Sequence, residues 1–271
     1  MISLIKIEFY KILPNRTFWI FVILYITSSY LFFYGGSNIE IEALNFINFK
    51  QYYYFPRVWN SITYIAHFFT LLLGIIVISL VTAEFSYKTF RYQITCGLSK
   101  LDFVLAKILL ILIFCIISTL FLAIVSLIFG FTHTHKACFT CLDWFSKSTY
   151  VLISNQMHFL ITYFIQTFSY LSFAFLVGVI IKKTGLGIVL YVTYILFIEA
   201  IVRLFVPDQI DLYFPMNIIS TLTPFPGKSL WQLASGVEMY PIPLITASLI
   251  TMGYSLLFCL ISYFLIKVRD V

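Results

Sequence analysis

Long apolar runs separated by short polar interludes are the dominant pattern along the 271-residue chain. The runs are continuous rather than alternating, and each is close to the ~20 residues that a helix needs to cross the hydrocarbon core of a bilayer. The short alternating segments of a transmembrane barrel are not seen. Helices are then the only sensible spans, because inside lipid every backbone N–H and C=O must be satisfied within its own segment. The pattern predicts an all-α integral membrane protein with six spans: Phe18–Tyr34, Ile62–Val81, Ile108–Phe131, Phe159–Ile181, Gly185–Val206 and Ile242–Ile266. The stretches left over, Gly35–Ser61, Thr132–His158 and Pro207–Pro241, are too short and too aromatic for a separate soluble domain, so residues 1–271 read as one transmembrane domain.

A different periodicity precedes the first span. At 100° per residue, Ile2, Ile5, Phe9, Ile12 and Leu13 gather on one face, while Ser3, Lys6, Glu8 and Lys11 spread over the other. Residues 2–13 are therefore expected to form an amphipathic helix lying in the membrane interface. Pro14 ends it, and Arg16, Phe18 and Trp19 mark the bend into the first span. Charge interleaved with apolar residues, and no small-residue cleavage site, argue against a cleavable signal.

Composition agrees with the pattern: 61% hydrophobic, 20% aromatic and only 10% charged, with a mean hydropathy of +0.99. Charge adds an orientation. With the N-terminus inside, eleven Lys and Arg residues fall on the cytoplasmic side and six outside, which predicts cytoplasmic termini by the positive-inside rule. Anionic lipid, not nucleic acid, is then the partner that the net charge of +6 implies. Trp19, Trp59, Trp144 and Trp231 all fall at or beyond span ends, where amphipathic rings favour the headgroup level.

Residues 82–107, TAEFSYKTFRYQITCGLSKLDFVLAK, carry six charges between two apolar runs: Glu84, Lys88, Arg91, Lys100, Asp102 and Lys107. Each would cost about 2.5–3.5 kcal/mol at the centre of a bilayer, so the segment is expected at the cytoplasmic interface. It also keeps more apolar surface than a solvated loop carries, including Phe85, Tyr87, Phe90, Tyr92 and Phe103. A short helix with one face for neighbouring spans and one for a partner protein satisfies both facts. Gly97 supplies a helix stop and Ser99 an N-cap, so a second helix should start near Lys100 and run into the third span.

The series Glu84, Lys88-Thr89, Arg91, Gly97-Leu98-Ser99-Lys100, Phe103 and Ala106-Lys107 resembles the cytoplasmic segment of type-2 ABC exporter permeases, with Lys88 standing where many relatives have Gly. The resemblance covers about 25 residues by motif and the whole chain by architecture: an elbow helix, six spans and short re-entrant helices before the last span, here within residues 207–241. It implies that Glu84, Tyr87, Lys88, Thr89, Arg91, Gly97, Ser99 and Lys100 form a coupling helix that docks on a separate ABC ATPase subunit. It implies further that ATP and Mg are bound by that partner, that a second permease copy or a paralogue completes the transporter, and that the setting is a bacterial cytoplasmic membrane.

No nucleotide site is expected in the chain itself. Gly227-Lys228-Ser229 lacks the first Gly of a P-loop, whose place holds Leu222. His133, His135, Cys138 and Cys141 put two imidazoles and two thiols in nine residues. They suit a soft or borderline cation, and the thiols equally suit a small disulfide loop; the spacing is not that of a zinc finger, which favours a disulfide or ordinary loop residues over a metal. Cys96, Cys115 and Cys259 are isolated and expected to pack as small apolar groups. Glu199 and Arg203 lie one turn apart near the end of the fifth span, a spacing that predicts an ion pair. His67, Gln166, Ser118, Thr119, Ser169 and Ser172 are expected to serve helix packing. A secondary transporter or channel would show more intramembrane charge and spans broken near the midplane. An intramembrane enzyme would need a base or further ligands beside the His and Cys cluster.

Overall fold

Helices that are apolar nearly all round can be buried only in lipid or against one another, and this chain does both. The computed structural model describes residues 8–38, 53–87, 89–137, 156–226 and 242–268. Among these, all regular structure is helical. Six helices are long and apolar enough to span a membrane: Arg16–Asn38, Val58–Ser86, Lys100–Ala137, His158–Ile181, Thr184–Arg203 and Leu244–Val268. Each overlaps one predicted span. The third runs for 38 residues, about 57 Å at 1.5 Å per residue, well beyond a hydrocarbon core of about 30 Å. Its first turns, starting at the restart that Gly97 and Ser99 predict, pack against the linking segment and the elbow, with Phe103, Val104, Ala106 and Lys107 buried.

The second and fourth spans form the middle of the bundle, with 61% and 72% of their most apolar stretches buried, against 17% for the first and fifth. Small and hydroxylated residues let them approach their neighbours, as expected where lipid offers no hydrophobic drive for helix association. Tyr163 of the fourth span meets Tyr25, Ser118 and Thr70 through hydroxyl contacts of 3.1, 3.0 and 3.3 Å, so one buried cluster joins four spans. Ser169 donates to Thr251 O at 3.2 Å and His67 bonds Gln166, packing roles of the expected kind, whereas Thr119 bonds back onto its own helix at Cys115 O.

Two expectations fail. Trp59 is 1% exposed, packed among Phe55, Ile62 and Phe129, because the second span starts four residues earlier than its apolar run and carries the indole inside. Cys96 is exposed at the end of a short helix, whereas Cys115 and Cys259 are buried. Trp144 and Trp231 lie outside the described residues.

Gly74 marks a tight approach between spans. A Cβ there would stand 2.2 Å from the hydroxyl and 2.4 Å from Cζ of Tyr191, a fully buried residue of the fifth span. Gly74→Ala should therefore displace the fifth span from the second and cost about 1–3 kcal/mol by overpacking. Thermal unfolding of the detergent-solubilised variant measures it, and an unchanged midpoint would contradict this packing.

Candidate functional site

The bundle end that carries Lys11, Arg16, Lys100, Lys107, Lys182, Lys183 and Lys267 is built around the segment joining the second and third spans. The second span ends at Ser86, and the Tyr87 N–H closes it by donating to Ala83 O at 2.9 Å. A linking helix follows over Thr89–Thr95, with the Thr89 hydroxyl donating back to Glu84 O at 3.2 Å. Phe90 is the anchor of this helix: it is 6% exposed and packs edge-on against Phe103 at 4.8 Å and against Phe85 at 5.2 Å. Tyr87 and Tyr92 point the other way, 80% and 72% exposed.

The turn between the linking helix and the third span follows the predicted chemistry. Gly97 adopts φ +95°, a left-handed conformation that suits glycine; its N–H reaches Ile94 O at 3.0 Å and the Leu98 N–H reaches Gln93 O at 3.1 Å. Ser99 then caps the next helix, its hydroxyl oxygen accepting from the Asp102 N–H at 3.0 Å while its O–H donates to the Asp102 carboxylate at 2.6 Å. Lys100 crosses to the end of the sixth span and donates to Lys267 O at 3.1 Å, where a cation is favoured by the helix dipole.

Beneath the linking helix lies a group of four charges that the residue pattern does not announce. Residues 8–12 are helical, as expected for an elbow, and Pro14 sits in the turn after them. Glu8, however, faces inward at 5% exposure instead of lying on a solvated face. Lys11 Nζ donates to Glu8 at 2.9 Å and to Glu84 at 2.8 Å; Lys107 Nζ donates to Glu84 at 2.8 Å and also bonds Glu8. Two carboxylates and two ammonium groups thus alternate around a ring that joins the elbow, the second span and the third. Lys107, 2% exposed, also sits 5.4 Å from the centre of the Phe103 ring, just inside cation–π range. Glu84 is 6% exposed, so it is an internal tie rather than a surface residue of the predicted docking set. Lys88 lies outside the described residues, and of Arg91 the structure describes only its place in the linking helix.

At the opposite end the expected Glu199–Arg203 pair does not form. Both Glu199 carboxylate oxygens accept backbone N–H groups, from Met216 at 3.0 Å and Asn217 at 2.8 Å, at the start of a short helix over Pro215–Ser220 that has Pro at its first position. Arg203 instead forms a forked contact with Asp211, with Nη2 donating to Oδ2 at 3.0 Å. The guanidinium holds the Asp211 carboxyl below its usual pKa. A π-helical turn over Tyr194–Ile198 immediately precedes Glu199 and resets which way the residues after it face. Short helices over Asp208–Asp211 and Pro215–Ser220 occupy the region where re-entrant pieces are expected. The rest of that region, including the Gly227-Lys228-Ser229 stretch, lies outside the described residues.

Of the His and Cys cluster, only the His133 ring is described, stacked on Phe129 at 6.0 Å. The His135 side chain, Cys138 and Cys141 lie outside the described residues.

A family model described as "Protein of unknown function (DUF2705)" matches residues 19–271. The chain belongs to that family. The DUF2705 match takes in Glu84, Lys107, Glu199 and Arg203 but begins after the elbow, so Glu8 and Lys11 stand outside it. No curated protein matches the chain.

The four-charge ring carries a signature in pH. Burial pushes the Glu8 carboxyl up, but Lys107 and Lys11 outweigh it and hold it below its ordinary value of 4.5; burial pushes the Lys11 ammonium down, but Glu84 and Glu8 outweigh it and hold it above its ordinary value of 10.5. A lowered carboxyl contributes stability above its unfolded pKa that is lost as pH falls through the folded one. A raised ammonium contributes stability below its unfolded pKa that is lost as pH rises through the folded one. The attachment of the elbow should thus be strongest between roughly pH 5 and 10 and weaken on both sides. Protease cleavage near Pro14, followed across that range, should rise below pH 4.5 and above pH 10.5; a flat profile would contradict the ring's role.

Proposed function

We propose that the chain is the membrane subunit of an ATP-driven exporter, working as a dimer with a second copy or a paralogue and coupled to a separate ABC ATPase that binds ATP and Mg. The observation that carries this reading is the linking helix at Thr89–Thr95. It is held on its inner face by Phe90 and by the ring of charges below it, and it turns two large aromatic side chains, Tyr87 and Tyr92, away from the bundle. A rigidly backed helix with exposed aromatics suits a partner protein better than it suits solvent, since buried aromatic anchors dominate protein interfaces. Motion of that partner would pass through Glu84 and Lys107 directly into the second and third spans.

A cleft between the second and fifth spans supports the dimer. Its volume is about 160 Å³, and His67, Glu199, Arg203, Asn217 and Ser220 line it beside the exposed Phe68 and Leu196. Polar groups at membrane depth favour a protein-covered or water-filled setting over lipid. A second copy laid against these spans would supply one, with the pathway between the two. On this reading the linking helix is cytoplasmic, as are both termini, and the membrane is a bacterial inner membrane.

Purification of the tagged chain from its native membrane should bring down a P-loop ATPase in stoichiometric amount. Tyr87→Ala combined with Tyr92→Ala should leave insertion and thermal stability intact, because both rings are exposed, yet weaken ATPase capture. Loss of two interface anchors costs on the order of 2 kcal/mol each, enough for at least a tenfold drop. Failure to recover an ATPase, or equal recovery by the double variant, would contradict the reading.

A further inference from the structure

Beside the four-charge ring lies a cavity of about 670 Å³, walled by the elbow, the last turns of the second span and the start of the fifth. Two span N-termini open onto it. At one, Asn15 Oδ1 accepts the Thr17 N–H at 3.0 Å; at the other, the fifth span begins at Thr184 after an extended Lys183 that makes no side-chain cap. Helix N-termini favour anions, above all phosphate, because their first amides lack helical acceptors and the dipole is positive there. Lys11, on the same wall, is the more exposed of the ring's two cations, with 31% of its side chain accessible against 3% for Lys107.

The same wall also holds an acceptor in need of a donor. Glu84 Oε1 takes both lysines, whereas its buried Oε2 accepts no hydrogen bond among the described residues. A buried carboxylate oxygen without a donor is costly, and a ligand ammonium would relieve it.

Directly below, an apolar groove of about 310 Å³ runs between the first, second and third spans, with Phe18, Trp19, Val22, Ile76 and Phe114 in its walls. Ile12 separates groove from cavity and lines both. On the second span the groove touches Leu73 and Ile76, and the cavity touches Ser79, Leu80, Ala83 and Glu84, so the groove begins about 5 Å deeper along the helix and extends further down it. Polar above and apolar below, at the end of a membrane bundle, is the profile of one phospholipid.

We propose that this paired cavity and groove bind a phospholipid whose headgroup ends in a primary ammonium. The phosphate lies between Lys11 and the two span N-termini, the enclosed Glu84 Oε2 turns towards the cavity to accept the ammonium, and an acyl chain follows the groove. Choline cannot replace the ammonium, since a quaternary nitrogen has no N–H to give, and glycerol brings no charge to the carboxylate. Basic pockets between spans are known settings for lipid headgroups; here the orphan carboxylate oxygen adds selectivity for the amine.

The full chain, delipidated in detergent, tests this with phosphatidylethanolamine, phosphatidylcholine and phosphatidylglycerol of identical acyl chains. Native mass spectrometry should show one phosphatidylethanolamine per chain, bound at least tenfold more tightly than the other two, and only that lipid should raise the unfolding temperature. Glu84→Gln should remove the preference. Because Glu84 also belongs to the ring of charges, Ala83→Phe, which fills the cavity from its wall without altering a charge, is the second variant and should abolish binding at this site. Equal binding of phosphatidylcholine would overturn the ammonium contact, equal binding of phosphatidylglycerol would reduce the site to a phosphate site, and wild-type binding by Ala83→Phe would remove the site altogether. The inference stands apart from the exporter reading, since lipid selectivity is read with no ATPase present.

Discussion

Four alternating charges, Glu8, Lys11, Glu84 and Lys107, fix how this chain meets the membrane surface at its basic end. Burying a single charge costs several kcal/mol, and a buried pair recovers that only with good geometry and further hydrogen bonds. Here each ammonium reaches both carboxylates, so the group is neutral as a whole and collapses if one member is lost. Its three contributing segments are far apart in sequence, and the hydroxyl cluster around Tyr163 that also ties the second and third spans lies several turns deeper. The ring therefore sets the angle of the elbow and, through Glu84 and the Thr89 hydroxyl beside it, the position of the linking helix.

The opposite end uses charge in the same way, but with backbone as the partner. Glu199 holds the first amides of the helix at Pro215–Ser220, and Arg203 holds Asp211, so the connection from the fifth to the sixth span folds back onto the fifth. Tyr254 adds a bond from the sixth span to Tyr213 O at 2.8 Å. Both ends of the fifth span, which is lightly packed along its length, are thereby tied down: at its start by Thr184 bonded to Thr82 at 2.8 Å, at its finish by Glu199 and Arg203. A span held at its ends and loose between them, with a π-helical turn inside it, is suited to movement.

Much of the fold was legible in the residue pattern because the bilayer imposes a minimum apolar length on every helix that crosses it. The six apolar runs, the break at Pro14 and the stop and restart at Gly97 and Ser99 depend on neighbours within a turn or two, and the structure follows each of them. Partner choice over long separations was not legible. Glu84 reads as an interfacial charge until Lys107 and the elbow come together around it, and a one-turn spacing invites the pairing of Glu199 with Arg203 until the carboxylate takes the amides of a helix start seventeen residues away and the guanidinium takes Asp211. Trp59 misled for a related reason: a tryptophan at the end of an apolar run suits a headgroup and a helix interface equally well, and only packing against Phe55 decides it.

The central claim, that the ring of charges positions the elbow and the linking segment, is tested most directly by exchanging charges across it. Unfolding free energies of Glu84→Lys, Lys107→Glu and the double exchange, measured in the same detergent, form a cycle. Each single exchange should cost about 3–5 kcal/mol, because it leaves like charges buried together. The double exchange restores the contact between positions 84 and 107 but sets position 84 against Lys11 and position 107 against Glu8, so it should cost about as much as one single exchange and well short of the sum of two. Additive losses in the double variant, or single exchanges that cost nothing, would contradict the account.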